Sequence, residues 1–219
     1  KRAKAFGIRE DDLTDGVLWI VPLAVICARV YYCIFEWKQY ADDPISALYI
    51  WEGGIAIYGA VIAAVLVAVL YARHKKVPTA ALMDAGVLGL ILGQIIGRWA
   101  NFVNREAFGG VTDLPWRMRV WISEFQYVEV HPTFFYESMW NLVGLLLMLF
   151  VVTKARRFDG ENTCFYFLWY GIGRFFIEGI RLDPSEVYLG VRVNQWAAIL
   201  VVIIGLILMV VQARRHPGL

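Results

Sequence analysis

Six stretches of this sequence, residues 15–35, 53–71, 80–97, 132–153, 163–180 and 194–212, are apolar and long enough to cross a hydrocarbon layer. Such a layer takes about 20 helical residues, and inside it every backbone N–H and C=O must be satisfied within the segment. Each stretch is therefore expected to be a transmembrane helix. The fold class that follows is all-α, a polytopic membrane helix bundle of about six spans. Composition agrees, with 59% hydrophobic residues and 18% charged, where soluble domains carry about a quarter charged. The third stretch is short and holds Gly86, Gly89, Gly93 and Gly97, a spacing that predicts close helix–helix packing through small residues.

Topology follows from the basic residues. Lys1, Arg2, Lys4 and Arg9 precede the first span, Arg73, Lys75 and Lys76 follow the second, Lys154, Arg156 and Arg157 follow the fourth, and Arg214 and Arg215 follow the sixth. With alternating spans these all fall on one side, which the positive-inside rule makes the cytoplasm. The other side receives Lys38, Arg98, Arg105, Arg117, Arg119, Arg181 and Arg192, which stand in polar, non-repetitive sequence suited to function. The net charge of +2 is dispersed in short clusters, so no nucleic-acid partner is expected. Cys27, Cys33 and Cys164 sit in apolar stretches and His74, His131 and His216 are scattered, which predicts no disulfide framework, no metal and no cofactor. The Lys-Arg-Ala-Lys start has no apolar run behind it, so no signal peptide is expected there.

One membrane domain, residues 1–219, accounts for the chain. Within it the long outer connection, residues 98–131, mixes Trp116 and Trp121 with Arg117 and Arg119, as segments lying in the headgroup layer do. A small extracytoplasmic cap is expected there.

The densest chemistry lies from Gly97 to Gly109, where Arg98, Asn101, Asn104, Arg105 and Glu106 close an apolar helix. Arginine forks suit phosphate, amides hydrogen-bond ester or hydroxyl oxygens, and glycines admit close backbone approach. Two readings compete: a lipid-headgroup site, or a helix end resting on lipid phosphates without chemistry. In the fifth span Tyr170, Arg174, Glu178 and Arg181 are spaced by four, four and three, which confines them to one helix stripe. Such groups within a membrane are functional candidates, against the alternative of an internal Arg174–Glu178 ion pair holding the bundle. Tyr136 and Glu137 stand one turn inside the fourth span, Arg29 inside the first, and Gly53, Gly54 and Tyr58 at the start of the second.

Gly97, Arg98, Asn101, Phe102, Asn104, Glu106 and Gly109 stand in the spacing of the signature of the bacterial prolipoprotein diacylglyceryl transferases, which this stretch resembles. The resemblance extends in family order over almost the whole chain: Trp51 to Gly59 resembles the family's glycine-rich segment, His131 to Glu137 its His-Pro-Thr segment, and Tyr170 to Arg181 its late arginine–glutamate helix. Tyr58 stands where many members have histidine, Ala60 replaces a glycine, and Phe134 replaces a glutamine. The resemblance implies a further N-terminal span ahead of these six and a multi-pass enzyme of the bacterial cytoplasmic membrane, active in lipoprotein biosynthesis. It implies transfer of the diacylglyceryl group of phosphatidylglycerol to the lipobox cysteine of prolipoprotein signal peptides, with membrane lipid as the medium.

By match, Arg98 and Arg174 are the catalytic candidates that grip the phosphate, with Tyr58, Tyr170 and Glu178 beside them. Asn101, Asn104, Glu106, Gly109, Gly53, Gly54, Tyr136, Glu137, Arg29 and Arg181 are the substrate-binding candidates. A thiol of pKa about 8.5 costs roughly 2 kcal/mol to ionise at pH 7, while losing one preorganised anion donor costs about 2.7 to 4 kcal/mol. The arginines therefore outweigh the base, and a phenol of ordinary pKa near 10 is too weak a base, so Tyr58 is expected to position substrate. The competing class is an anionic-lipid-binding or transport protein without bond cleavage. An alcohol phosphotransferase is disfavoured because the spans offer chiefly Asp84 in place of an aspartate cluster.

Overall fold

Helices carry most of the computed structural model, which describes residues 3–182 and 187–215. Lys1, Arg2 and His216 lie outside the described residues. The helices are α1 (Glu10–Phe35), α2 (Ile57–Lys75), α3 (Thr79–Asn104), α4 (Thr133–Leu147, prolonged by a π-helical turn Met148–Val152), α5 (Glu161–Ile180) and α6 (Val193–Arg215). Among the described residues, α1, α2, α3, α4 with its π turn, and α6 are long and apolar enough to cross a membrane. Helix α5 has 20 residues, yet carries Arg174 and Glu178 within them. The chain is an all-α, multi-pass membrane protein. Several helices outrun the apolar stretches at charged ends: α1 opens on Glu10, Asp11 and Asp12, and α2 and α6 close on basic residues. Each charge sign suits the partial charge of its helix terminus.

The chain divides into two compact units, Lys1–Ala85 and Gly86–Leu219. In the first, α1 and α2 meet at Gly59, where an added Cβ would lie within 3.0 Å of Tyr31, Cys27 and Ala28. At the other end of the pair the Tyr71 hydroxyl donates to the Asp12 carbonyl at 2.8 Å, and Lys75 reaches Asp15 at 3.2 Å. Short 3₁₀ turns, Trp37–Gln39, Pro44–Leu48 and Ile50–Glu52, connect the two helices.

In the second unit, α4 and α5 are fastened by a reciprocal tryptophan clasp. The Trp140 indole N–H donates to the Trp169 carbonyl and the Trp169 indole N–H to the Trp140 carbonyl, both at 2.8 Å. The rings stack 4.4 Å apart. Gly173 and Gly144 make room, since a Cβ on either would stand under 3.0 Å from the facing indole. Buried indole N–H groups need acceptors, and here each helix lends the other a backbone carbonyl. Helix α6 lies on α5 through Gly171, against Val202 and Ala198, and through Gly205, against Phe167.

Packing through the α3 glycines is not what the structure shows. A Cβ at Gly86, Gly89, Gly93 or Gly97 would meet nothing within 4 Å. Helix α3 packs instead through Val87 and Ile91 against Leu145, Met148 and Tyr166, whose larger side chains supply the van der Waals contact that joins helices in lipid. The glycines that do permit close approach are Gly59, Gly144, Gly171, Gly173 and Gly205.

Between α3 and α4 the chain forms an antiparallel hairpin, β1 (Met118–Ser123) with β2 (Gln126–Val130). Met118, Val120 and Val130 turn inward onto Phe134, with Phe108 and Val128 packed alongside. A second short pair, β3 (Val187–Tyr188) and β4 (Val191–Arg192), precedes α6.

Candidate active site

Five of the candidate residues form one connected ladder of charges in the second unit. Arg98, near the end of α3, places Nε 2.6 Å from one Glu137 oxygen, and Arg174 places NH1 2.6 Å from the other. Arg174 then turns NH2 to Glu178 at 2.6 Å, and Arg181 stands 4.0 Å from the same Glu178 oxygen. The register of α5 dictates this order: Arg174 and Glu178 are one turn apart on one face, and Arg181 caps the helix in an extended conformation. Glu137 comes from the first turns of α4, so three helices supply the ladder. The clasp at Trp140 and Trp169, each about one turn from Glu137 and Arg174, fixes the register in which they meet.

Glu178 is 1% exposed and Glu137 6%. Carboxylates so deep in a membrane helix bundle are tolerable only with paired cations and further hydrogen bonds. Asn194 supplies one, donating to Glu178 Oε1 at 2.9 Å. Arg192 braces the same corner through the carbonyls of Glu178 and Arg181. Three guanidiniums, Arg98, Arg174 and Arg181, face two carboxylates, Glu137 and Glu178. Arg98 is the most open rung, with 23% of its side chain exposed.

Tyr170, one turn before Arg174, stacks on Tyr166 at 5.5 Å, and the Tyr166 hydroxyl accepts from Gln94 at 2.8 Å. Asn101 and Asn104 both donate to Glu106 Oε1 at 3.1 Å, a compact polar knot at the end of α3. Gly109 has a packing reason: a Cβ there would meet His131 and Ile180 at 2.8–3.0 Å. The Tyr136 hydroxyl accepts from the Trp116 indole at 2.9 Å and lies 3.1 Å from His131 Nδ1.

Arg29, Gly53, Gly54 and Tyr58 belong to the first unit, and there Arg29 is the centre. Its guanidinium, 6% exposed, donates to the carbonyls of Ala47, Gly53, Gly54, Ser46 and Tyr49 at 2.5–3.3 Å. Gly54 adopts φ +73°, and a Cβ on it would come within 3.0 Å of Arg29 and Tyr32. Arg29 thus organises residues 46–54 by filling five carbonyls with one planar donor fork. Lysine keeps the charge but has three donors on a single nitrogen. Arg29→Lys is expected to cost about 2 kcal/mol or more, from carbonyls left unsatisfied, and to open residues 46–54 to proteolysis in detergent; a cleavage pattern like that of the unaltered chain would refute this. Tyr58 is 58% exposed, its ring tilted 6.5 Å from Tyr31.

At the hairpin, Arg117 and Arg119 both bind Glu129, the latter at 3.0 Å. The Arg119 hydrogen bond, reinforced by Arg117, holds the Glu129 carboxyl below the ordinary carboxylate range against a smaller opposing effect of burial. A carboxyl depressed in the folded state contributes stability above its unfolded pKa and loses it as pH falls through its folded one. Acid, not base, should loosen the hairpin. Emission from Trp121, which packs edge-on to Tyr127 at 5.4 Å, should change on acidification of the unaltered chain and be flat across that range in Glu129→Gln.

Sequence reasoning missed the parts played by Asn194, His131 and Trp116. The Asn194-Gln195 pair opening an otherwise apolar span was a visible signal for the first, because buried amides at a span end need a partner.

A bundle of membrane helices with a buried arginine–carboxylate ladder at its centre defines a class of polytopic membrane protein built around charged side chains. The family model of prolipoprotein diacylglyceryl transferase matches residues 1–211, and the chain belongs to that family, a family of membrane transferases. It is 40% identical to the phosphatidylglycerol–prolipoprotein diacylglyceryl transferase of Streptococcus mutans, over 99% of this chain and 85% of that protein. The identically named protein of Halalkalibacterium halodurans is 41% identical over 97% of this chain and 75% of its own length. That of Limosilactobacillus reuteri is 39% identical over 100% of this chain and 82% of its own length.

Proposed function

We propose that this chain moves the diacylglyceryl group of phosphatidylglycerol onto the thiol of the lipobox cysteine in prolipoprotein signal peptides, in the bacterial cytoplasmic membrane. A thioether forms and glycerol phosphate leaves. The observation that carries this reading is the pair of guanidiniums, Arg98 and Arg174, set side by side on the two oxygens of one buried carboxylate, Glu137. Phosphatidylglycerol carries one negative charge at its phosphodiester. As the glyceryl C–O bond breaks, the departing phosphate gains a second, and a preorganised cationic site out of bulk water stabilises charge that develops in the transition state.

In this reading Arg98, the open rung, receives the headgroup phosphate, and Arg174 shares the developing charge from within. Glu137 holds the two guanidiniums at a fixed spacing, while Glu178 and Arg181 complete the ladder. Tyr170 walls the site beside Arg174. Asn101, Asn104, Glu106 and Gly109 shape the glycerol end of the pocket, and Tyr58, with the Gly53–Gly54 turn that Arg29 secures, hydrogen-bonds substrate. Residues 98–131 form an extracytoplasmic cap, within one transferase domain of residues 1–219.

The test is transfer of label from phosphatidylglycerol to a lipobox peptide by membranes containing this chain, beside Arg98→Ala. Labelled peptide cysteine that depends on Arg98 is the expected result. Binding of phosphatidylglycerol without any labelled thioether would overturn the reading and leave a lipid-binding protein.

A further inference from the structure

Thioether formation needs a base for the thiol, and the ladder is poorly placed to be it, since both Glu137 oxygens are engaged by arginines. Three residues outside the ladder form a directional chain. The Trp116 indole N–H can only donate, so at 2.9 Å it fixes the Tyr136 oxygen as acceptor. The proton of the Tyr136 hydroxyl is left to point at His131 Nδ1, 3.1 Å away. Imidazole is the side chain whose ordinary titration lies nearest neutral pH, and in the tautomer protonated at Nε2 its Nδ1 accepts from this hydroxyl.

The surroundings fit a relay. His131 and Tyr136 are half-buried, and Trp116 is exposed and lines an open groove with Phe102, Pro132, Phe134 and Phe135, so the Tyr136 hydroxyl lies one hydrogen bond behind the groove wall. The imidazole is held from the main chain: the His131 N–H donates to Gly110, its carbonyl accepts from Gly109, and Gly109 has no Cβ to push His131 away. Tyr136 is the chain neighbour of Glu137, their Cα atoms about 3.8 Å apart, so the hydroxyl and the ladder leave the same helical turn.

We propose that His131 is the base for the acceptor thiol and that Tyr136, between them, relays the proton. The cysteine S–H proton passes to Tyr136 Oη while the Tyr136 proton passes to His131 Nδ1. The sulfur lone pair then forms the C–S bond as the glyceryl C–O bond breaks, and the phosphate oxygen takes the bonding pair. The proton on His131 is returned, through Tyr136, to the departing phosphate or to water. Trp116 is a positioning residue: its N–H holds the Tyr136 oxygen in line as the hydroxyl gives up one proton and gains another. This assignment rests on the transferase reading above.

The experiment compares transfer from phosphatidylglycerol to two lipobox peptides, one with cysteine and one with selenocysteine, whose selenol is already ionised at neutral pH and needs no base. With the full chain, His131→Ala and Tyr136→Phe should each lower kcat toward the thiol peptide by about 100-fold or more, within the range of general-base catalysis, with KM for phosphatidylglycerol unchanged. Both should transfer to the selenol peptide within about tenfold of the unaltered chain, the scale of a merely indirect effect. Recovery on the selenol also shows that the variants fold. Added imidazole should raise the His131→Ala rate on the thiol peptide. Undiminished thiol transfer by either variant overturns the relay alone, as does a loss that the selenol leaves uncorrected. No transfer by the unaltered chain to either peptide removes the transferase reading and the relay with it.

Discussion

Arg174→Ala is expected to abolish measurable transfer and to weaken the bundle at once. Arg174 is the middle rung, its two terminal nitrogens each 2.6 Å from a different carboxylate. Removing it leaves Glu178, 1% exposed, with Asn194 and a distant Arg181, and leaves Glu137 with Arg98 alone. Breaking a buried pair by deleting one partner typically costs about 3–5 kcal/mol. Losing one preorganised donor to a developing anion costs about 2.7–4 kcal/mol, or roughly 10²–10³ in rate. Arg174→Lys should lie between, because an ammonium on a flexible stem cannot hold both carboxylates in the planar geometry of the fork. The measurement is the initial rate at saturating phosphatidylglycerol, with thermal unfolding in the same detergent. A normal rate in Arg174→Ala would remove Arg174 from the chemistry.

Gly173→Ala is expected to be among the most damaging single methyls in the protein. The added carbon would stand under 3.0 Å from the Trp140 indole, which is locked by its hydrogen bond to Trp169 and by the stacked ring beneath. Overpacking costs typically 1–3 kcal/mol, and each of the two linked hydrogen bonds is worth about 1 kcal/mol, so a loss of about 3–5 kcal/mol follows. Gly144→Ala should behave alike from the other side. Gly93→Ala on α3, where an added Cβ meets nothing, should stay within about 0.5 kcal/mol. Unfolding midpoints of the three variants decide the matter, and equal midpoints for Gly173→Ala and Gly93→Ala would refute the clasp. Activity should follow stability in Gly173→Ala, since α4 and α5 carry Glu137 and Arg174 respectively.

The spans and the charge stripe of α5 were legible because they are one-dimensional. Hydropathy over about 20 residues and a spacing of four, four and three survive without knowledge of neighbours. What Glu137 and Arg98 do to Arg174 was not legible, because it depends on which helices meet and in what register. The same limit misdirected the glycines: Gly86, Gly89, Gly93 and Gly97 have the regular spacing but no partner, whereas Gly144 and Gly173 matter through two tryptophans that lie on facing helices. Arg29 stood out as an intramembrane charge, yet three of its five carbonyl acceptors, Ser46, Ala47 and Tyr49, belong to a loop with no motif. The hairpin left a trace that was readable, Met118 and Val120 inward against Arg119 and Trp121 outward, a period-two pattern that the mixture of tryptophan and arginine obscured.

Four backbone hydrogen bonds tie residues 108–110 to the chain on either side: Gly109 N–H to His131, His131 N–H to Gly110, Gly110 N–H to Ile180, and Leu182 N–H to Phe108. They stitch the base of the β1–β2 hairpin to the point where α5 ends in Arg181. A hinged lid needs a loose seam, and this one is sewn on both edges. The hairpin cannot swing upward without tearing those bonds and dragging the last rung of the ladder with it. Under the proposed function, lipid and peptide would then have to enter laterally, between helices, and not beneath a lifting hairpin.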